Sequence, residues 1–312
     1  MTPDTWATIS NQAFAAAAVV LALAWLSHLL EFAAGRTVPA LTRESALVGG
    51  PAAPQSSPSE SLRVRQLGRV GLLLSVLGTA VLVLGALSRG LAADRVPWGN
   101  MFEFATTGAA VAMVVYLLLV RLYAVQWLGV VVTGFVVVVL GLSMLVYVDA
   151  GPLVPALHSY WLVLHVAAAM IAGAAFVVGA GASVFFLLKE RAERTTEEGR
   201  RTGYLWRLPP SASIDRLAYR VHAFAFPVWT FAALIAGPIW AEYAWGRYWG
   251  WDPKEVWAFI TWVVYASYLH ARATAGWRGR SAAVLALVGF TTFVFNFVGI
   301  NLLASGLHSY SF

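Results

Sequence analysis

Cysteine is absent from all 312 residues, which removes disulfides, thiolate metal sites and thiol–disulfide exchange from the chemistry this chain carries itself. Any thiol in its reaction must belong to a partner. Charge is also scarce: Asp, Glu, Lys and Arg make up 12% of the chain against 60% hydrophobic residues, and the mean hydropathy is +0.72. A water-soluble globule carries about 25% charged residues, so the solvent for this chain is the bilayer. The alternating pattern of a membrane barrel is missing. The basic loops lack the aromatic interleaving of a nucleic-acid module, which excludes a nucleic-acid partner.

What is present is apolar length. Runs of about 20 such residues lie near 12–33, 68–88, 101–120, 126–148, 161–188, 219–241, 256–274 and 281–303, each enough to cross roughly 30 Å of hydrocarbon as a helix. Unpaired backbone groups cannot persist in lipid, so the expected fold class is all-α, a polytopic transmembrane helix bundle of about eight spans. Placing alternate loops on one side gathers 17 of the 21 Lys and Arg there and leaves Arg89, Arg95, Arg247 and Lys254 opposite. The positive-inside rule then puts both termini on the outer face. The first run has no strong basic stretch before it and no small-residue cleavage site after it, so it is expected to remain as an anchor. Segment 35–66 contains GGPAAPQSSPSE and reads as a flexible cytoplasmic linker. Residues 1–67 form the first span plus this linker, and 68–312 form the main membrane domain.

Between the sixth and seventh runs lies WAEYAWGRYWGWDPKEVWAFITW, where Trp245, Trp249, Trp251, Trp257 and Trp262 place five of the 14 tryptophans within 18 residues. An interfacial aromatic belt is one reading, because indoles favour the headgroup level. A shelf for a planar aromatic ligand is the other, since Gly246 and Gly250 allow close approach. Asp252, Pro253 and Glu255 fit an N-cap, first position and third position of a helix. Arg247 and Lys254 suit either lipid headgroups or a ligand carboxylate.

Six histidines occur. His165, in YWLVLHV, and His308, in NLLASGLHSYSF, fall on the outer side with the tryptophans and together supply two axial positions for a haem iron. His270 lies within the seventh run and His28 at similar depth in the first, where ionisable groups are costly and face a cavity or partner. His222 and His158 are weaker candidates.

WGRYWGWDPKEVWAFITW, followed by YASYLHAR and ending with GLHSY, resembles the CcsA/ResC family of System II cytochrome c biogenesis, over roughly residues 68–312. PALHSYWLVLHV, VPWGNMFEF, FPVWTFAALIAGPIWA and VGINLLASGLHSY add to the similarity. The resemblance implies a WWD haem-handling segment at 240–257 and haem b as bound substrate. It implies that His165 and His308 are external iron ligands, with Trp245, Trp249, Trp251 and Asp252 beside them. It implies an intramembrane haem site at His270, to which depth alone adds His28. It also implies a ResB-type membrane partner, the CXXCH of apocytochrome c as acceptor, and a cell (plasma) or thylakoid-type membrane as location. No internal nucleophile is needed for thioether formation, so no catalytic residue is expected. Rival readings are a System I type haem-delivery protein, a transporter of another ligand, and a structural subunit.

Overall fold

The structure, a computed structural model, describes residues 1–35, 58–153, 155–196, 203–304 and 306–308. Most of the described residues are helical, and there is no strand among them. In chain order the helices are α1 (Pro3–Ala34), α2 (Pro58–Ala93), α3 (Met101–Tyr123), α4 (Gly129–Ser143), α5 (Tyr160–Thr195), α6 (Ser211–Thr230), α7 (Gly237–Trp245), α8 (Pro253–Ala273), α9 (Arg280–Val294) and α10 (Ile300–Leu303). A π-helical turn at Phe231–Ala236 joins α6 to α7, and another at Phe295–Gly299 joins α9 to α10.

Seven helical rods among the described residues are long and apolar enough to cross a membrane. The eighth, α8, has 21 residues, and its Trp, Tyr, His and Arg dilute the apolar run. The chain is thus a multi-pass membrane bundle. The linker expected at 35–66 lies partly outside the described residues, which resume at Pro58 as the start of α2.

Helix ends follow local chemistry. Asn100 Oδ1 accepts from Glu103 N at 2.9 Å to start α3. Ser159 Oγ caps α5 through Trp161 N at 3.2 Å. Gly246, with φ +70, closes α7 in the left-handed conformation that glycine adopts without cost.

The packing of α1 on α2 is a regular register. Gly71, Gly78 and Gly85 of α2 recur every seven residues and receive, in reverse order, His28, Leu21 and Phe14 of α1, also seven apart. A Cβ at Gly78 would meet Leu21 at 2.6 Å. Small residues at such spacing let membrane helices approach closely, and dispersion supplies the attraction that lipid does not.

The termini share one end of the bundle. Near the N-terminus, Asn11 Nδ2 donates to Tyr147 Oη at 2.8 Å, and at the C-terminus His308 reaches Asp252. This end carries few Lys and Arg, as the charge asymmetry requires of the outer face.

Candidate functional site

The outer end holds a cavity of about 180 Å³, bordered by Trp98, His165, Trp240, Trp249, Lys254 and His308 among others. Five segments build it: the loop before α3, the outer turns of α5, the α6–α7 rod, the first turns of α8, and the end of α9 with the tail after α10.

His165 stands two turns into α5, and its Nδ1 lies 2.8 Å from the carbonyl oxygen of Ala232. That carbonyl belongs to the π turn before α7. Pro238 follows, and a proline has no N–H and its ring clashes with the carbonyl four residues back. A π turn is a common local adjustment to such a break and is frequent at functional sites. Here it presents the carbonyl that orients His165.

His308 is held by Asp252. Its Nδ1 lies 2.9 Å from Asp252 Oδ1, while Asp252 Oδ2 accepts from Leu307 N at 2.6 Å. The same carboxylate caps α8 by accepting from Lys254 N at 3.0 Å, and Glu255 Oε2 returns the bond to Asp252 N at 3.0 Å and Gly250 N at 2.8 Å. The capping box expected from the sequence is therefore present, and the capping residue also ties the C-terminal tail to the tryptophan segment. Burial works to raise the Asp252 carboxyl, but bonds from His308 and the two backbone N–H groups outweigh it and hold the pKa at about 2. Burial pushes the His308 imidazole below its ordinary value, against the pull of Asp252. The direction favours a neutral imidazole beside an ionised carboxylate, with the ring lone pair on Nε2.

Trp240 bridges the two imidazoles. It stacks on His165 with centroids 5.8 Å apart and planes 15° from parallel, and lies 5.6 Å from the His308 ring. Trp245 meets His308 edge-on at 4.9 Å. Sequence reasoning did not single out Trp240; it stands just before the tryptophan cluster, in the GPIWA stretch that the π turn swings inward.

The other candidates separate. Trp249 borders the cavity, but Trp251 is 67% exposed, has φ +56, and among the described residues reaches the site through an edge contact with Trp249 at 5.8 Å. Gly250 receives the guanidinium of Arg247. His270 is exposed on the outside of α8, in its last turn. His28 is buried at the inner part of α1, its ring closed between Gly71 and Gly129, with Nε2 3.4 Å from Ser75 Oγ. His222 is fully buried against Gly179, Phe176, Tyr265 and Tyr268. His158 borders a neighbouring outer cavity.

Two further polar groups in the main cavity escaped the sequence reading. Among the described residues, Trp98 Nε1 and Asn296 Oδ1 are buried there without a hydrogen-bond partner. Asn296 sits in the second π turn. Trp98 is positioned by a buried ion cluster: Glu103 Oε1 accepts from Arg89 Nε at 2.9 Å, and Glu103 Oε2 from Arg95 Nη1 at 2.6 Å and Gly99 N at 2.8 Å. Arg89 Nη2 donates to Val148 O and Arg95 Nε to Gly151 O. This knot fixes the loop that carries Trp98.

Comparison with known proteins places this geometry. The model for the cytochrome c assembly protein family matches residues 98–308, which takes in every wall of the cavity. The cytochrome c biogenesis protein CcsA of Synechococcus sp. (strain JA-2-3B'a(2-13)) is 32% identical over 318 aligned positions, covering 84% of this chain and 88% of that protein. CcsA of Porphyra purpurea is 33% identical, with 80% and 89% covered. CcsA of Chlamydomonas reinhardtii is 42% identical over 164 residues, and there the match spans only 44% of the algal protein. A solved structure, cytochrome c heme lyase CcmF, superposes with a TM-score of 0.57 at 18% identity, over 100% of this chain and 51% of that one; that likeness shows the fold. The chain belongs to the cytochrome c assembly protein family.

Proposed function

We propose that this protein is the haem-handling membrane subunit of a System II cytochrome c synthetase. It holds haem b, as substrate, in the outer cavity between His165 and His308, and presents it for thioether attachment to the CXXCH of apocytochrome c. The observation that carries this reading is the pairing of two imidazoles on one aromatic cavity, each with Nδ1 held by an acceptor that orients the ring. An outer-shell acceptor of this kind sets the tautomer and raises the basicity of the coordinating nitrogen.

Bound haem supplies the ferrous iron and the two vinyl groups to which thiols add. The chain's own residues bind and orient. Trp240, Trp245 and Trp249 offer flat apolar walls, Asp252 steers His308, and the Ala232 carbonyl steers His165. Positioning of this kind lowers a bimolecular barrier by pre-ordering the reactants, and the thiols come from the acceptor.

His270 belongs to a second haem position inside the membrane, on the route by which haem moves outward. Its exposure on the outer stripe of α8, with Phe259 and Val263, suits a site completed by a ResB-type partner in a cell or thylakoid-type membrane.

The test is purification of the chain with its partner, followed by absorption spectroscopy and a cytochrome c maturation assay. The wild-type complex carries a Soret band that His165→Ala with His308→Ala weakens or shifts, and maturation is lost. An unchanged spectrum and full maturation in that double variant would overturn the proposal and leave the chain as an anchoring subunit.

A further inference from the structure

Lys254 borders the same cavity from the first turn of α8, yet it makes no ion pair within 4.0 Å among the described residues. The two carboxylates nearest in sequence are engaged elsewhere. Asp252 accepts from the Lys254 backbone, His308 and Leu307, and Glu255 Oε2 accepts from Gly250 and Asp252. An ammonium against apolar and aromatic walls is costly unless an anion meets it. On another wall, Trp98 Nε1 is a buried donor with no acceptor among the described residues. Arg247, the other cation on this segment, is exposed and folds over Gly250 outside the cavity.

We infer that Lys254, assisted by Trp98 Nε1, is the seat for a propionate carboxylate of the haem, an assignment that rests on the haem reading above. A charged donor and a neutral one on the walls of a mostly apolar cavity match a carboxylate, and a charge-assisted bond is about twice as strong as a neutral one. The consequence is orientation. Haem carries its propionates on the edge opposite its vinyls, so seating one end at Lys254 decides which edge meets the incoming thiols. Lys254 is then a substrate-binding residue that selects among rotations of the same porphyrin about its iron.

The test uses the purified complex, stripped of haem and titrated with iron protoporphyrin IX or its dimethyl ester, following the Soret band. The wild-type complex prefers the free acid by about tenfold or more, in keeping with one charge-assisted bond. Lys254→Met removes most of that preference while the His165- and His308-dependent spectrum persists, Lys254→Arg retains it, and Trp98→Phe lowers it less. Equal acid-over-ester preference in wild type and Lys254→Met overturns the assignment. A wild-type complex that binds neither porphyrin through His165 and His308 overturns the haem reading itself, which separates the two failures.

Discussion

His165 and His308 border an open cavity at the outer end of the bundle, whereas His28 and His222 are enclosed by packed protein toward the inner end. At the outer site each ring has one nitrogen held by an oriented oxygen and an aromatic bridge between them. At the inner positions the rings press against glycine: a Cβ at Gly179 would meet His222 at 2.5 Å, and one at Gly71 would meet His28 at 2.8 Å. The difference teaches that burial does not distinguish a ligand from a packing residue. Both outer rings keep an oriented acceptor and a face on open space, whereas the inner rings are closed in, His222 among aromatic rings and His28 beside Ser75 and Glu31.

The sharpest way to break this comparison is to remove one ring from each set. Loss of an outer-shell partner alone typically reduces metal affinity by about 10–100-fold, so His308→Ala reduces haem retained by the purified complex at least tenfold. His222→Phe leaves retention unchanged. Equal loss in both variants, read from Soret absorbance per protein, would erase the distinction.

Glycine substitutions sharpen it next. Gly179→Ala forces a methyl into the closed contact with His222, where overpacking costs about 1–3 kcal/mol, and thermal unfolding of the purified complex shifts down while haem affinity holds. Gly237→Ala meets His165 Nδ1 at 3.0 Å and the Ala232 oxygen at 3.1 Å. It disturbs the bond that aims His165, so haem binding weakens several-fold with a smaller change in stability.

The outer pair also sets a pH dependence. Burial lowers the His308 pKa from its ordinary value of about 6.5. An unfolded chain takes up that proton near pH 6.5 and the folded one does not, so this contribution to stability is complete above about pH 6.5 and is lost as pH falls from there toward the folded value. Asp252, with a pKa of about 2, stays ionised across that window. Haem retention is therefore flat from pH 8 to about 6.5, and holds below it better than for an imidazole of ordinary pKa. Asp252→Asn removes the carboxylate charge and turns one of its two acceptor oxygens into a donor, which loosens the hold on His308 and Leu307 and weakens retention at every pH. A titration midpoint at or above 6.5 in the wild type would contradict the burial argument.

Much of this was legible in the sequence, for identifiable physical reasons. Apolar length fixed the rods because lipid allows a single hydrogen-bonding solution for such runs. The Asp252–Pro253–Glu255 order announced a helix start, and the structure shows that start exchanging bonds with the tail. Trp240 and Trp98 lay inside quoted motifs without being singled out, and Asn296 was not legible. Trp240 and Asn296 depend on π turns, which rotate the following residues out of the 3.6-residue period on which facing is judged. Trp98 depends on Arg89, Arg95 and Glu103, which are joined through space. The seven-residue glycine series of α2 was available to inspection, but its meaning needed the matching series Phe14, Leu21 and His28 on α1.

The smallest expected effect tests the inner half of the comparison. Among the described residues, neither buried ring nitrogen of His222 has a hydrogen-bond partner, and the neighbouring Tyr265 hydroxyl is in the same condition. An unsatisfied buried polar group costs about 1–3 kcal/mol, which His222→Phe removes, while the slightly larger ring recovers contacts with Phe176 and Tyr268. Overpacking against Gly179 opposes that gain. The two nearly cancel, so thermal stability changes by less than about 1 kcal/mol, in the stabilising direction if the Tyr268 ring gives way. If His222 instead met a transient ligand, as an inner haem position would require, His222→Phe would lower maturation of cytochrome c at unchanged stability, and the inner histidine would move to the outer class.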